Sequence, residues 1–151
     1  PTRRSSDLYP AAYPPKGIQV DEVQNVLDQY FHALYTKNWE NAYSCLTLED
    51  REHVTKAQFA AWRKAISDCF EMQDYRMQEY RSFHRCRIGE YVYEEIREYA
   101  VTIMDLDLQT QKSSQSTTHK YVAYDGISWK VCLGVKNIKQ ARKKVHISIQ
   151  N

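Results

Sequence analysis

The sequence contains few residues that break regular structure, and it has no long apolar run. Four glycines and four prolines occur in 151 residues, which excludes a chain dominated by loops or low-complexity segments. No apolar stretch approaches the roughly 20 residues of a membrane-spanning helix, and no signal-peptide pattern is present. The motifs Gly-x-Ser-x-Gly, His-Glu-x-x-His, Gly-x-Gly-x-x-Gly and the P-loop are also absent. The best-marked enzyme classes therefore have no sequence support, and we expect no cofactor.

The cysteines are few and scattered. They are Cys45, Cys69, Cys86 and Cys132, and none forms a Cys-x-x-Cys pair. Structural zinc sites need short paired spacings, so we predict no metal site. Scattered thiols in a chain of this size are typical of reduced core residues rather than of a disulfide framework. This weakly favours a cytoplasmic location.

Positive charge is concentrated at the C-terminal end. The net charge is +2, but six of the 21 Lys and Arg residues and none of the 19 acids lie in residues 126–151. The preceding part is mildly acidic, which is not typical of nucleic-acid-binding domains. We interpret residues 137–151 as a solvated basic helix or linker. Contact of this tail with an anionic membrane is the less favoured alternative.

Residues 1–19 are predicted to lie outside the fold. Residues 1–8 resemble the translated read-through of a sequencing adapter, and the following stretch contains Pro10, Pro14 and Pro15, as an extended linker does. If the first eight residues are not native, the natural N-terminus is missing. In that case, an anchored extracytoplasmic module is an alternative to the cytoplasmic location. The predicted domain spans residues 20–136.

Three helices are predicted between residues 21 and 70. Asp21 and Gln24 fit a capping box before apolar residues at helical spacing. Asn38 fits the N-cap of a shorter second helix, and Thr55 with Gln58 forms a second capping box before the third. We predict a polar loop between the second and third helices.

The apolar period then changes from that of a helix to that of a strand. From Tyr80 onward, a face with His84 and Cys86 alternates with a face rich in arginine. Residues 91–109 form a second long strand, in which a change of parity predicts a bulge near Met104. A polar hairpin loop at residues 112–118 leads to the last hairpin. The nearby Asp105 is interpreted as part of a solvated face.

Residues 121–135 are predicted to form that last hairpin. Asp125-Gly126 is the strongest short-range hairpin signal in the chain, and a two-residue turn there places Tyr124 opposite Ile127 and Val122 opposite Trp129. The complete pattern predicts an α+β domain. Three N-terminal helices would pack on a curved antiparallel sheet of about four long strands.

This order of elements resembles the NTF2-like superfamily, the cystatin-like α+β cones. The resemblance lies in the helix over residues 21–35, the Phe59-x-x-Trp62 helix and the Asp125-Gly126 hairpin with Trp129. Residues 129–138 also resemble NTF2-like modules attached to signalling or cell-envelope proteins of Gram-positive bacteria. Such domains enclose a cone-shaped pocket, and the superfamily includes both small isomerases or dehydratases and non-catalytic binding modules. Fold alone does not choose between these functions.

A cone of this kind would have an aromatic lining. The candidate ligand-binding residues are Tyr30, Trp62, Tyr80, His84, Tyr99 and Trp129, which suit a small hydrophobic or aromatic ligand. Plain core packing is the favoured alternative for the rings. No acidic base maps to an inward position, so we expect a non-catalytic module that binds a small ligand or a protein, as part of a larger bacterial polypeptide. The alternative is a small isomerase or dehydratase that uses a pocket His and Tyr.

The arginine-rich strand face is a candidate interface. Arg81, Phe83 and Arg85 share it, and aromatic residues and arginine recur at binding hot spots. Glu94 and Glu98 on the next strand are expected to pair with these arginines across the ladder. We expect a homodimer formed through this face, and the alternative is a solvated charge ladder.

Overall fold

The computed structural model describes residues 16–88 and 90–134 and contains four helices followed by four strands. The elements are α1 (Lys16–Tyr35), α2 (Trp39–Ser44), α3 (Leu48–His53), α4 (Lys56–Cys69), β1 (Phe70–Ile88), β2 (Tyr91–Asp107), β3 (Lys112–Tyr124) and β4 (Trp129–Cys132). The predicted α+β class with an antiparallel sheet of four strands is confirmed. The basic tail and residues 1–15 of the predicted lead lie outside the described residues.

Two of the predicted helix starts are confirmed in atomic detail. The Asn38 side chain accepts a hydrogen bond from the Asn41 amide at 3.2 Å at the start of α2. Before α4, Thr55 Oγ1 accepts from the Gln58 amide at 3.1 Å, and Gln58 Oε1 accepts from the Thr55 amide at 3.0 Å. Both caps satisfy amides that a helix leaves without an internal partner.

Two other helix predictions are wrong. The first helix begins at Lys16 and runs through Asp21, so Asp21 is not its N-cap. The segment predicted as a polar loop contains α3, which Thr47 caps by accepting from the Asp50 amide at 3.2 Å. A helix of six residues is too short to show a repeating apolar stripe. Its first turn is acidic, which is also typical of a polar loop.

The four strands form one antiparallel sheet in the order β1-β2-β3-β4. The β1–β2 register shifts between Met72 and Asp74, opposite Met104, and again between Glu79 and Arg81. The bulge predicted near Met104 is therefore present, although the extra residue lies on β1. On the far edge, Leu46 forms a parallel bridge with Val131 of β4. This bridge connects the helical segment to the sheet.

The predicted two-residue turn at Asp125-Gly126 is wrong. Tyr124 pairs with Trp129 and Val122 with Val131, so the connection contains four residues. Asp125 Oδ1 accepts from the amides of Ile127 and Ser128, both at 2.8 Å, and this side-chain turn sets the longer loop. The register differs from the predicted one by two residues, which leaves every side chain on its predicted face.

Replacing Gly126 with Val should lower the free energy of unfolding by about 1–2 kcal/mol. Gly126 has φ +99°, and a Cβ built there would meet no atom within 4 Å. The cost therefore arises from backbone strain alone, which is highest for a β-branched residue. Urea denaturation should show a smaller loss for Gly126→Asn, because Asn tolerates positive φ. Equal midpoints for the two variants would contradict this explanation.

The main hydrophobic core lies between the helices and one face of the sheet. We call this face, which carries Tyr99, Val101 and Val122, the inner face, and we call the opposite face, which carries Ile96 and Glu98, the outer face. The fully buried residues Leu27 and Phe31 of α1, with Phe59 of α4, pack against the inner face. A second, smaller cluster contains Ile96, Ala123 and Tyr93. Hydrophobic packing thus reaches both sides of the central strands.

Candidate functional site

Four of the six predicted pocket residues lie in or against the main core. Tyr30 and Tyr99 are buried, and Trp62 and Trp129 pack against them half-buried. The ring centroid of Phe59 lies 5.8 Å from that of Trp62 and 6.5 Å from that of Tyr30. Aromatic rings therefore fill much of the space between α1, α4 and the sheet.

Tyr80 and His84 lie apart from these four rings. Tyr80 sits at the second bulge of β1 and is 60% exposed, and its ring stands edge-on to His119 at 5.0 Å. His84 is exposed and pairs across the ladder with Glu95. The bulge inserts one residue into β1, which interrupts the alternation on which the predicted set was based.

Several polar groups project towards the core from the inner face and from α4. The Tyr99 hydroxyl and the Arg63 Nε are buried and have no hydrogen-bond partner among the described residues. Burial raises the pKa of Tyr99 to about 12. Lys120 pairs with Tyr99 across the ladder, and burial, together with the charge of Arg63, lowers the pKa of its ammonium group. Of these residues, only Tyr99 was predicted as a site residue.

A cavity of about 210 Å³ lies where the C-terminal end of α1 meets α4 and the sheet. Its apolar walls include Leu34 of α1, Trp39 of α2, Ile66 of α4 and Ile103 of β2. Arg63, Ser67 and Asp105 also line it. Burial raises the pKa of the Asp105 carboxyl group, and the charge of Arg63 offsets this only in part. Asp105 is thus half-buried, whereas the sequence predicted that it belongs to a solvated face.

The sequence did carry a signal for the polar residues of this cavity. Arg63 follows Phe59 by four residues on α4, which places both on one side of the helix. Asp105 lies two residues beyond Ile103 on β2 and shares its face. The sequence therefore shows that Arg63 and Asp105 each lie on an otherwise apolar face. It does not show that the two residues line the same cavity.

The outer face carries a buried carboxylate. The Glu98 side chain is only 3% exposed, Arg81 Nε donates to its Oε1 at 2.6 Å, and His119 Nδ1 lies 2.5 Å from its Oε2. Burial raises the pKa of Glu98, but the hydrogen bonds from Arg81 and His119 outweigh burial, so its pKa is lowered. Glu98 is therefore a stable anion at neutral pH.

Aromatic rings lie beside the arginine that pairs with this carboxylate. The Arg81 guanidinium lies 5.3 Å from the ring of Tyr80 and 5.0 Å from that of Phe83. Phe83, Ile96 and Ala123 form one cross-strand row beside the Arg81–Glu98 pair. The predicted pairing of acids opposite the arginines is confirmed, since Arg85 also lies 3.8 Å from Glu94.

Within residues 16–88 and 90–134, no group of three or more His, Cys, Asp or Glu side chains is arranged to hold a metal ion. None of the helices in this part of the chain is long and apolar enough to cross a membrane. Of the four free cysteines, Cys45 and Cys132 are buried, Cys86 is half-buried and Cys69 is exposed.

Comparison with known proteins gives one family. The family model described as "Domain of unknown function (DUF4829)" matches residues 24–125, which is more than half of the chain. The matched region begins within α1 and ends just after β3, so it includes the core helices, the cavity and the Glu98 network. No curated protein matches the chain significantly.

Proposed function

We propose that this chain, which belongs to the DUF4829 family of domains of unknown function, has a binding role rather than a catalytic one. The fold that we assign to it is the NTF2-like cone. Helices precede an antiparallel sheet in the order β1-β2-β3-β4, and α1 and α4 pack on one of its faces. The bulges in β1 supply the local bends that a cone-shaped sheet requires.

The interior supports binding over catalysis. Tyr30, Phe59 and Tyr99 occupy the centre of the space between helices and sheet as fully packed core residues. An isomerase or dehydratase of this fold would need a general base inside that space. His84, the base that the alternative function requires, is exposed on β1, and Tyr80 is exposed at a bulge. The alternative that uses a pocket His and Tyr therefore has less support.

The outer face is the proposed interaction surface, and the partner is a second copy of the chain. The observation that carries this proposal is the Glu98 network, in which a carboxylate is 3% exposed on a sheet face that none of the described helices covers, and in which its partner Arg81 lies against the rings of Tyr80 and Phe83. Arginine and aromatic residues are enriched at interfaces and at binding hot spots, and they occur together here.

Charge complementarity favours self-association. The outer face presents exposed Arg85 and Glu94, 3.8 Å apart, beside Phe83. A two-fold axis that passes between these two residues would place Arg85 of each copy near Glu94 of the other. Pairing through the free edge of β1 is less favoured, because the two bulges and the many charges of β1 discourage strand addition.

Replacing Phe83 with Glu should weaken self-association at least tenfold. The substitution places a third acid beside Glu94 and Glu98 in the centre of the proposed interface, where like charges would face each other in the dimer. Sedimentation velocity at 10–100 µM should show a wild-type dimer and a monomeric variant. The control Ala61→Glu adds the same charge on the exposed side of α4 and should remain dimeric.

Circular dichroism should confirm that Phe83→Glu is folded, since Phe83 is half-buried. Phe83→Leu provides a second variant that retains an apolar side chain and should retain most of the affinity. A wild-type protein that sediments as a monomer at 100 µM would overturn the proposal. Dimerisation that is equal in wild type and Phe83→Glu would overturn the choice of surface.

A further inference from the structure

We propose that the cavity between α1, α4 and the sheet binds a small carboxylate with an apolar body, and that Arg63 holds the carboxylate group. This site is distinct from the outer face and does not depend on self-association. Nothing in the family description assigns it.

The size and walls of the cavity define the body of the ligand. A volume of about 210 Å³ corresponds to the liquid volume of about seven water molecules. The walls come from four elements and are mainly apolar, with Leu34, Trp39, Ile66, Phe70, Met72 and Ile103. An apolar cavity gives water few hydrogen bonds, so an aromatic ring or a short alkyl chain is favoured there.

The polar side of the cavity defines the charged end of the ligand. Arg63 lines the cavity, and its Nε is buried without a hydrogen-bond partner among the described residues. No ion pair within 4.0 Å joins Arg63 to a described acid. Removing a donor from water without giving it an acceptor is costly. A carboxylate in the cavity would give the planar Arg63 guanidinium a charged acceptor of matching shape.

Arg63 is also held in position. Its guanidinium lies 5.1 Å from the centroid of the adjacent Trp62 ring. This contact with the ring limits the rotamers of a long side chain. A pre-positioned donor loses less entropy when a ligand binds.

The charges of the cavity lining are balanced, with Lys37 and Arg63 against Glu71 and Asp105. Lys37 and Glu71 are exposed, so solvent screens their charges. Burial raises the pKa of the half-buried Asp105 carboxyl group, which favours its neutral form, whereas an arginine keeps its charge. The half-buried charge that an anionic ligand would meet is therefore that of Arg63.

Two larger cavities do not have these properties. One, of about 440 Å³, lies along α1 and α2 and is lined mainly by polar residues such as Gln29, Asn38 and Asn41. The other, of about 400 Å³, lies between α1 and β1 and includes Gln24, Asp28 and Arg76. Neither contains a buried donor without a partner among the described residues. The smaller cavity is the one that combines an apolar wall with an unsatisfied cation.

The test uses phenylacetate as the probe and phenylacetamide as its neutral match. Titration into the ¹⁵N-labelled full chain, followed by amide chemical shifts at pH 7, should show saturable shifts at residues 34–39, 63–72 and 103–105. The amide should bind at least tenfold more weakly, because it lacks the charge that Arg63 recognises. Lack of saturable shifts at 10 mM phenylacetate, or equal binding of the amide, would overturn the proposal.

Substitutions test the charge of Arg63 and the space of the cavity separately. Arg63→Gln should weaken phenylacetate binding at least tenfold, whereas Lys64→Gln, at the next and exposed position, should leave it unchanged. Ser67→Phe should block binding by filling the cavity from α4 while Arg63 remains, which gives a second readout if Arg63→Gln does not fold. Unchanged affinity in either folded cavity variant would refute the site. These results are independent of whether the protein sediments as a dimer.

Discussion

Replacing Phe59 with Ala should lower the free energy of unfolding by about 3–5 kcal/mol, the largest loss that we expect from any single substitution discussed here. Phe59 is 1% exposed, and its ring packs against three others, with centroids 5.8 Å from Tyr43, 5.8 Å from Trp62 and 6.5 Å from Tyr30. The variant would lose the buried surface of the ring and leave a cavity among aromatic neighbours that cannot collapse easily.

The matched control is Phe59→Leu, which retains most of the apolar volume and should cost only about 1–1.5 kcal/mol. Urea denaturation followed by tryptophan fluorescence measures both variants, and Trp62 lies close enough to report the change directly. A loss below about 1 kcal/mol for Phe59→Ala would indicate an interior that is loosely filled. Such a result would also remove the main argument against an enzymatic pocket, because that argument depends on the centre of the core being occupied.

The sequence predicted those features of the fold that local chemistry determines. Asn38 and the Thr55–Gln58 pair were identified as caps because their side chains satisfy amides two or three residues away. The alternation in residues 121–135 assigned Val122 and Val131 to the core face, and both are fully buried. Neither inference required knowledge of distant residues. Local hydrogen bonds and periodicity were sufficient.

The features that the sequence did not predict depend on contacts between distant segments. The bulge after Glu79 adds one residue to β1 relative to β2, and it places Tyr80 next to His119 on another strand. The set of six pocket residues assumed unbroken alternation in β1. The structure brings together the four rings that come from other elements, whereas Tyr80 and His84, both on β1, lie elsewhere.

The cross-strand charge pairs of the outer face were easier to predict than the cavity for the same reason. Arg81 and Phe83 are neighbours on one strand, and the acids expected opposite them are on the next strand in sequence, joined by a short turn. The cavity combines Leu34, Arg63 and Asp105, which are separated by 29 and 42 positions in the chain. Only the packing of α1 and α4 on the sheet brings them together. Sequence spacing carries no record of that packing.

Replacing Asp50 with Ala should cost about 2–3 kcal/mol of unfolding free energy. Asp50 belongs to α3, is 1% exposed, and connects this short helix to the end of the sheet. Its Oδ2 accepts from the Leu133 amide at 2.8 Å and from the Thr47 hydroxyl at 3.0 Å. Alanine would leave both donors without this acceptor, and urea denaturation at pH 7 would measure the loss. Asp50→Asn preserves an acceptor of the same shape and should cost less than about 1 kcal/mol.

The pH dependence distinguishes the charge of Asp50 from its hydrogen bonds. Burial raises the pKa of the Asp50 carboxyl group above the ordinary value of about 3.9, and the hydrogen bonds from Leu133 and Thr47 offset this only in part. A group whose pKa is raised in the folded state contributes stability that is fully present below the unfolded pKa and is lost as pH rises through the folded pKa. Wild type should therefore gain stability relative to Asp50→Asn, which has no titrating group there, as the pH is lowered from 7 towards 4. The contrary result would be a loss of stability in wild type relative to Asp50→Asn over this range. It would mean that the ionised carboxylate stabilises the fold, because its hydrogen bonds to α3 and Leu133 outweigh the cost of burying its charge.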